Sequence, residues 1–261
     1  MIHSLLARYH QGSHTIDYPR EPAPEMDARY QGRPIIDQKR CQGQECTICL
    51  DCCPGAALKR EPTGLVSLDT GRCLFCGACV RQCPRHALSF SRDFRLATGR
   101  RDQLIVNGVE PPTDVRLDQL RRKLFHRSLK LRQVSAGGCN ACEADTNVLG
   151  TIVYDLGRFG IGFVASPRHA DGILVTGPVS INMKEALLAT YKAVPEPKVV
   201  IATGACAISG GLFRGHPETL AGLDEILPVD LYVPGCPPHP MTILEGLLQL
   251  VGIAPRDLSK E

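Results

Sequence analysis

The sequence predicts an α/β protein: a doubly wound parallel sheet over its second half, preceded by a smaller, cysteine-rich α+β unit. Three observations predict it. Nine of the thirteen cysteines crowd into residues 41–92. From about residue 129, short apolar runs alternate with amphipathic segments, the texture of strands joined by helices in a parallel sheet. At 261 residues the chain is long enough for two modest cores.

In chain order, residues 1–40 read as an extended, turn-rich arm ("DYPREPAPEMDARYQGRP") that packs on something else. Residues 41–92 hold two similar cysteine blocks, an internal repeat. Residues 93–128 read as a charged linker with a break at "NGVEPPTD" and a helix at "LDQLRRKLFHR". Residues 129–261 form the α/β unit. Its strands are expected at "LKLRQV", "GFVAS", "DGILVTG", "KVVIATG" and "VDLYVPG". Its helices are expected at "ACEADTNVLGTIVYDLGRF", "SINMKEALLATYKAV" and "PMTILEGLLQLVG".

Composition excludes several classes. No run of eighteen apolar residues is present, so no membrane span is expected. The opening "MIHSLLARYHQGSH" is too short and polar in its apolar part for a secretory signal, and Arg100–Arg101 lies too deep for an export signal. The chain is therefore expected in the cytoplasm, where thirteen cysteines argue for metal ligation over disulfides. Residues 1–132 carry 22 Lys and Arg against 14 Asp and Glu, and residues 133–261 carry 8 against 13. The basic excess has no motif or interleaved aromatics to mark a nucleic-acid surface. It suits compensation of anionic clusters and an acidic partner.

The second block, "CLFCGACVRQCPRHAL", spaces Cys73, Cys76, Cys79 and Cys83 as C-x2-C-x2-C-x3-C-P. In a bacterial-type two-cluster ferredoxin the first three hold one iron–sulfur cube and the fourth is directed to the other. Gly77 suits a tight loop whose amides can face sulfide, and Pro84 ends that loop. Counting back from the Cys53–Pro54 pair in the first block, Cys49 and Cys46 stand at the usual intervals. Gly43 occupies the next place and cannot ligate, so Cys41 reaches in over a longer C-x4-C loop. The expected sets are Cys41, Cys46, Cys49 and Cys83 for one [4Fe–4S] cluster, and Cys53, Cys73, Cys76 and Cys79 for a second. Cys52 is left over as a small buried hydrophobe; the alternative is that it or a water replaces Cys41. Zinc knuckles and ribbons, with two ligands on each of two loops, do not suit a doubled x2-x2 triple.

Four cysteines remain, and each follows an expected strand: Cys139 and Cys142 after "LKLRQV", Cys206 after "KVVIATG", Cys236 after "VDLYVPG". Ligands of open parallel sheets gather beyond the carboxyl ends of the strands, so the four thiols converge there as a third site. Spacing leaves open that they are inert core residues or that Cys139–Cys142 is a redox C-x-x-C.

"EPKVVIATGACAISGGLF" and "VDLYVPGCPPHPMTILEGLLQL", with "DGILVTGPVS" and "SLKLRQVSAGGCNACEAD", closely resemble the proximal-cluster subunit shared by respiratory complex I and the energy-converting [NiFe] hydrogenases. The likeness covers about residues 125–252. It implies the complex I 20 kDa-like fold and a third [4Fe–4S] cluster on Cys139, Cys142, Cys206 and Cys236. The C-x-x-C spacing follows the hydrogenase branch, since the complex I branch has adjacent cysteines. "TIDYPREPAP", "YQGRP" and the two blocks resemble the separate ferredoxin subunit of formate hydrogenlyase, as though the two were fused. Related hydrogenase subunits read C-N-G-C with a glutamate shortly after. Here Ala141 replaces the glycine and Asp145 stands near the glutamate's place. Glu143 and Asp145 read as acidic residues complementing a helix N-terminus in preference to a proton path.

The resemblance implies an electron-relay subunit, without catalytic residues of its own, on the inner face of the cytoplasmic membrane. Its implied partners are a hydrogenase-type large catalytic subunit, an electron-donor subunit or soluble ferredoxin, and membrane subunits. A nickel-free or quinone-reducing relative is the alternative; a zinc-binding nucleic-acid module and a free-standing ferredoxin carrier are more remote.

Overall fold

The structure is a computed structural model and describes residues 2–41, 45–108, 115, 117 and 119–253. The first helix, α1 (Ile2–Gln11), stands where the sequence reads as extended arm. Leu, Ala, Arg and Gln here are good helix formers, and the turn residues that dominate the arm begin only at Gly12. After it, β1 (Pro34–Ile36) leads into the first cysteine block, with the short α2 (Ile48–Asp51), β2 (Leu58–Arg60) and β3 (Val66–Asp69). The second block follows with α3 (Ala78–Gln82) and β4 (Leu88–Phe90), and then β5 (Ile105–Val106).

These strands make two small antiparallel sheets, β1–β4 and β2–β3–β5. Both end strands come from outside residues 41–92: β1 from the arm and β5 from the stretch read as linker. The linker is further tied in by Arg101, whose guanidinium donates to Asp69 at 2.8 and 2.5 Å. The break expected at "NGVEPPTD" lies, from residue 109 on, outside the described residues. So does the middle of the Cys41–Cys46 loop, 42–44.

The second half begins with α4 (Gln119–Phe125) and β6 (Leu129–Ser135), followed by α5 (Ala141–Val148), β7 (Ile161–Phe163) and β8 (Gly172–Thr176). Then come α6 (Ile181–Ala193), β9 (Val199–Thr203), the short α7 (Ala205–Ser209), β10 (Leu231–Val233) and α8 (Pro240–Leu250). The five strands are parallel, in the order β10-β9-β8-β6-β7. Alternate residues face opposite cores: Leu129, Leu131, Leu174 and Ile201 join α8 on one face. Val134, Val175, Val200 and Ala202 join Leu187 of α6 and Ile208 of α7 on the other. Helices on both faces make the sheet doubly wound. Its order reverses between β6 and β8, which opens a crevice at their carboxyl ends.

One expected helix is cut short. The segment 141–159 is helical only to Val148, and a 3-10 turn then covers Leu156–Phe159. Gly150 and the β-branched run Thr151-Ile152-Val153 weaken continuation. Leu156 N–H instead closes back on the Leu149 carbonyl at 3.0 Å, burying both leucines. No helix among the described residues is long and apolar enough to cross a membrane.

The arm and the linker join the two units. Thr98 bridges to Tyr232 of β10, and the buried Tyr18 hydroxyl donates to the buried Glu245 carboxylate of α8. Arg158 holds the backbone carbonyls of Ile16 and Tyr18 at 2.5 and 2.8 Å.

Candidate functional site

The two Cys-Pro turns repeat one geometry. Ala57 N–H points at Cys53 Sγ and Ala87 N–H at Cys83 Sγ, both at 3.3 Å. Ala56 and His86, third after each cysteine, both take positive φ. Each turn thus delivers an N–H to a sulfur. Phe75 N–H does the same for Cys73 at 3.3 Å. Gly77, in the left-handed region at φ +67°, starts α3.

The Cys83 turn carries its thiol away from its own block. Cys41, Cys46, Cys49 and Cys83 line one apolar hollow with Ile36, Val66 and Leu88. Burial pushes the Cys49 thiol up to about 11, with Cys41, Cys46 and Cys83 adding to it. In the same way Cys53 joins Cys73, Cys76 and Cys79 around a second hollow floored by Leu58 and Leu68. Burial raises Cys73 and Cys79 to about 12. The crossing follows from packing: α2 lies against α3, so the cysteine leaving each helix faces the hollow beside the other.

The third group is assembled by the sheet. Cys142 lies at the start of α5 after β6, Cys206 on α7 after β9, and Cys236 follows β10. Burial first, then Cys206, Glu143, Cys236 and Cys139, push Cys142 up to about 12. Cys206 rises to about 11 through burial and the thiols of Cys236 and Cys139. The backbone leaves room around these sulfurs. Gly204 has φ +89°, and a methyl group there would lie 2.6 Å from Cys142 Sγ. At Gly211 it would lie 2.7 Å from Cys206 Sγ. Cys139 and Cys236 are exposed.

Three groups of four thiols, two of them ringing apolar hollows, fit clusters with more than one metal. Buried thiols with raised pKa ionise only against strong positive charge, which a bound metal supplies. The N–H groups aimed at sulfur and the glycines clearing space for it suit an iron–sulfur cube.

The groups are neighbours: Cys49 of the first shares one core with Cys73 and Cys79 of the second, and Leu74 and Phe75 of the second block line one cavity with Cys236 of the third. Cys52 is half-buried, its thiol 3.6 Å from the Cys49 carbonyl and raised by burial and then by Cys53.

Glu143 is more than a charge at a helix start. It is buried and accepts hydrogen bonds from Ser135 at 2.5 Å and Thr176 at 2.6 Å. Burial raises its pKa, but these two donors outweigh it and the net direction is down. It ties the end of β6 to the end of β8. Asp145 is raised by burial and lines a different cavity, at the seam between the units, with Tyr30, Gln31, Phe75 and His239. The sequence reading missed this seam, because no spacing rule links "YQGRP" to "CPPHP".

Residues 139–250 match the family model described as NADH ubiquinone oxidoreductase, 20 Kd subunit. Residues 66–89 match that of a 4Fe-4S binding domain, so this chain includes an iron–sulfur-binding segment. A probable membrane-bound hydrogenase subunit of Pyrococcus furiosus is 47% identical over 126 residues, 48% of this chain and 75% of that one. Formate hydrogenlyase subunit 7 of Escherichia coli is 42% identical over 131 residues, 50% of this chain and 51% of that one. An NADH-quinone oxidoreductase subunit of Citrifermentans bemidjiense is 48% identical over 113 residues, 43% of this chain and 66% of that one.

Proposed function

We propose a role that proceeds from one premise: this chain belongs to the NADH ubiquinone oxidoreductase 20 kDa subunit family. It is the electron-transfer subunit of a multi-subunit, membrane-associated oxidoreductase of the hydrogenase type. The observation that carries the reading is that one chain holds the 20 kDa-subunit match over residues 139–250 and the 4Fe-4S match over residues 66–89, with the loop of the second cysteine block lining one cavity with Cys236.

Cys41, Cys46, Cys49 and Cys83 would hold the first [4Fe–4S] cluster, Cys53, Cys73, Cys76 and Cys79 the second, and Cys139, Cys142, Cys206 and Cys236 the third. Such a cube stores one electron at a potential that burial and hydrogen bonds to sulfur set within roughly −700 to +450 mV. The chain's own work is to fix the sulfurs, exclude water and aim amides at them. Leu58 and Leu68 dry the second site, and the N–H groups of Ala57, Phe75 and Ala87 stabilise thiolate sulfur. The exposed Cys139 and Cys236 support a catalytic subunit seated over the third cluster. An electron donor meets the ferredoxin unit, and attachment to the inner face of the cytoplasmic membrane runs through other subunits.

Membership of the hydrogenase branch is supported by the Cys139-Asn140-Ala141-Cys142 spacing and by likeness to the P. furiosus and E. coli subunits. Likeness to the NADH-quinone oxidoreductase relative supports a second reading, the corresponding subunit of a quinone reductase. The test is anaerobic purification with partners, followed by iron, nickel and zinc analysis and hydrogen and quinone assays. About twelve irons per chain with nickel in a partner and dihydrogen activity is the expected result. Quinone reduction without hydrogen uptake establishes the second reading, and zinc without iron ends both.

A further inference from the structure

One side chain the relay leaves unaccounted for is Gln31. It lines the seam cavity with Tyr30, Phe75, Cys236 and His239. Its Oε1 is shut off from solvent and accepts no hydrogen bond among the described residues. Burying an unpaired amide oxygen costs stability, so the contacts that hold the group here lie at its other end. A methyl group on Gly77 would lie 2.6 Å from Gln31 Nε2, 3.1 Å from its Oε1 and 3.1 Å from Arg81 Nη1, which itself donates to the Cys76 carbonyl at 3.0 Å. The carboxamide therefore lies against the turn that follows Cys76, nitrogen nearer than oxygen. A hydrogen-bond donor suits a place beside thiolate and sulfide, which only accept.

The preceding residue reaches the third group. The Tyr30 ring meets His239 edge-on, 5.4 Å between centroids, and its hydroxyl is 3.3 Å from Thr242 Oγ1. His239 stands three residues after Cys236 and caps α8, its Nδ1 accepting from Met241 N–H at 3.1 Å. Two consecutive residues of the arm thus touch the Cys76 turn and the loop that carries Cys236. The shared lining of one cavity by Leu74, Phe75 and Cys236 agrees with this.

We propose that Tyr30 and Gln31 bridge the second and third cluster sites, and that Gln31 donates its amide N–H at the Cys76 turn and so holds the second cluster's potential up. The inference rests on the three-cluster reading. Transfer across the bridge moves one electron from one cluster to the other and makes or breaks no bond. Gln31 is a positioning residue, and its effect is a signed one: a donor or positive charge beside a cluster raises its potential, and loss of the donor or a negative charge lowers it.

The test is a redox titration followed by electron paramagnetic resonance on the anaerobically purified chain with its partners. Gln31→Lys should raise the second cluster's midpoint, Gln31→Leu lower it and Gln31→Glu lower it further, while the third midpoint stays in place. Tyr30→Ala should weaken the magnetic splitting between the second and third signals, and Tyr30→Phe should keep it. Damage to the fold cannot produce an ordered shift of both signs, so a variant that loses iron does not rescue the proposal. Unshifted or unordered midpoints in variants with full iron overturn the bridge alone. A wild-type chain with no cluster on Cys53, Cys73, Cys76 and Cys79 overturns the relay reading as well.

Discussion

The first two thiol groups and the third reach the same arrangement by opposite routes. Cys73, Cys76 and Cys79 lie within seven residues, and one loop and one turn of helix place them. Only a single cysteine per site, Cys83 or Cys53, comes from the neighbouring repeat. The third group draws on loops after three strands, from Cys139 to Cys236. It exists only once β6, β9 and β10 are gathered with β8 into one parallel sheet. A site made by local spacing survives damage elsewhere, whereas one made by a sheet fails with any of its loops.

That contrast can be broken or sharpened by substitution. The largest effect is expected for Cys206→Ser, which should remove about four irons per chain and abolish turnover of the complex. The two ferredoxin-type signals should persist; their loss too would mean that the sites do not form independently. Next comes Cys83→Ser, which should damage the cluster of Cys41, Cys46 and Cys49 while sparing that of its own block. Spectra showing only the second-block signal gone would refute the crossing. Gly204→Ala should act on the third site alone. Its φ of +89° and the 2.6 Å approach to Cys142 Sγ predict a loss of about 1–3 kcal/mol, read as a lower melting temperature with weakened third-site signal. Smallest is Cys52→Ala, which should leave all iron in place and shift stability by less than about 1 kcal/mol. Loss of a quarter of one cluster's iron would make Cys52 a ligand.

The same contrast explains what could be read in advance. The C-x2-C-x2-C-x3-C-P block and its C-x4-C-x2-C-x3-C-P counterpart are a local code, because loop and helix geometry follow from neighbours a few residues away. The five strands were legible from their apolar runs and the parallel sheet from their alternation with helices. The helix at 141–159 was overdrawn at its far end, where a backbone closure between Leu156 and Leu149 wins over helical continuation. The helix at Ile2–Gln11 was hidden by averaging it with the turn residues that follow.

Other features depend on the pairing of distant segments. Glu143 reads in sequence as a first-turn acid, yet Ser135 and Thr176 close on it from two different strands. The arm supplies β1 to one ferredoxin sheet and its Tyr18 reaches Glu245, more than two hundred residues away. The seam around Gln31 and His239 carries no motif.

By itself, then, the sequence determined the cysteine blocks, the strand-and-helix alternation and the class of fold, because each is written in short-range spacing and period. The tertiary structure decided the company each sulfur keeps, the burial of Glu143 and the junction between the units. These depend on strand order and on side chains meeting across long chain separations, where the energy comes from contacts that no local pattern encodes.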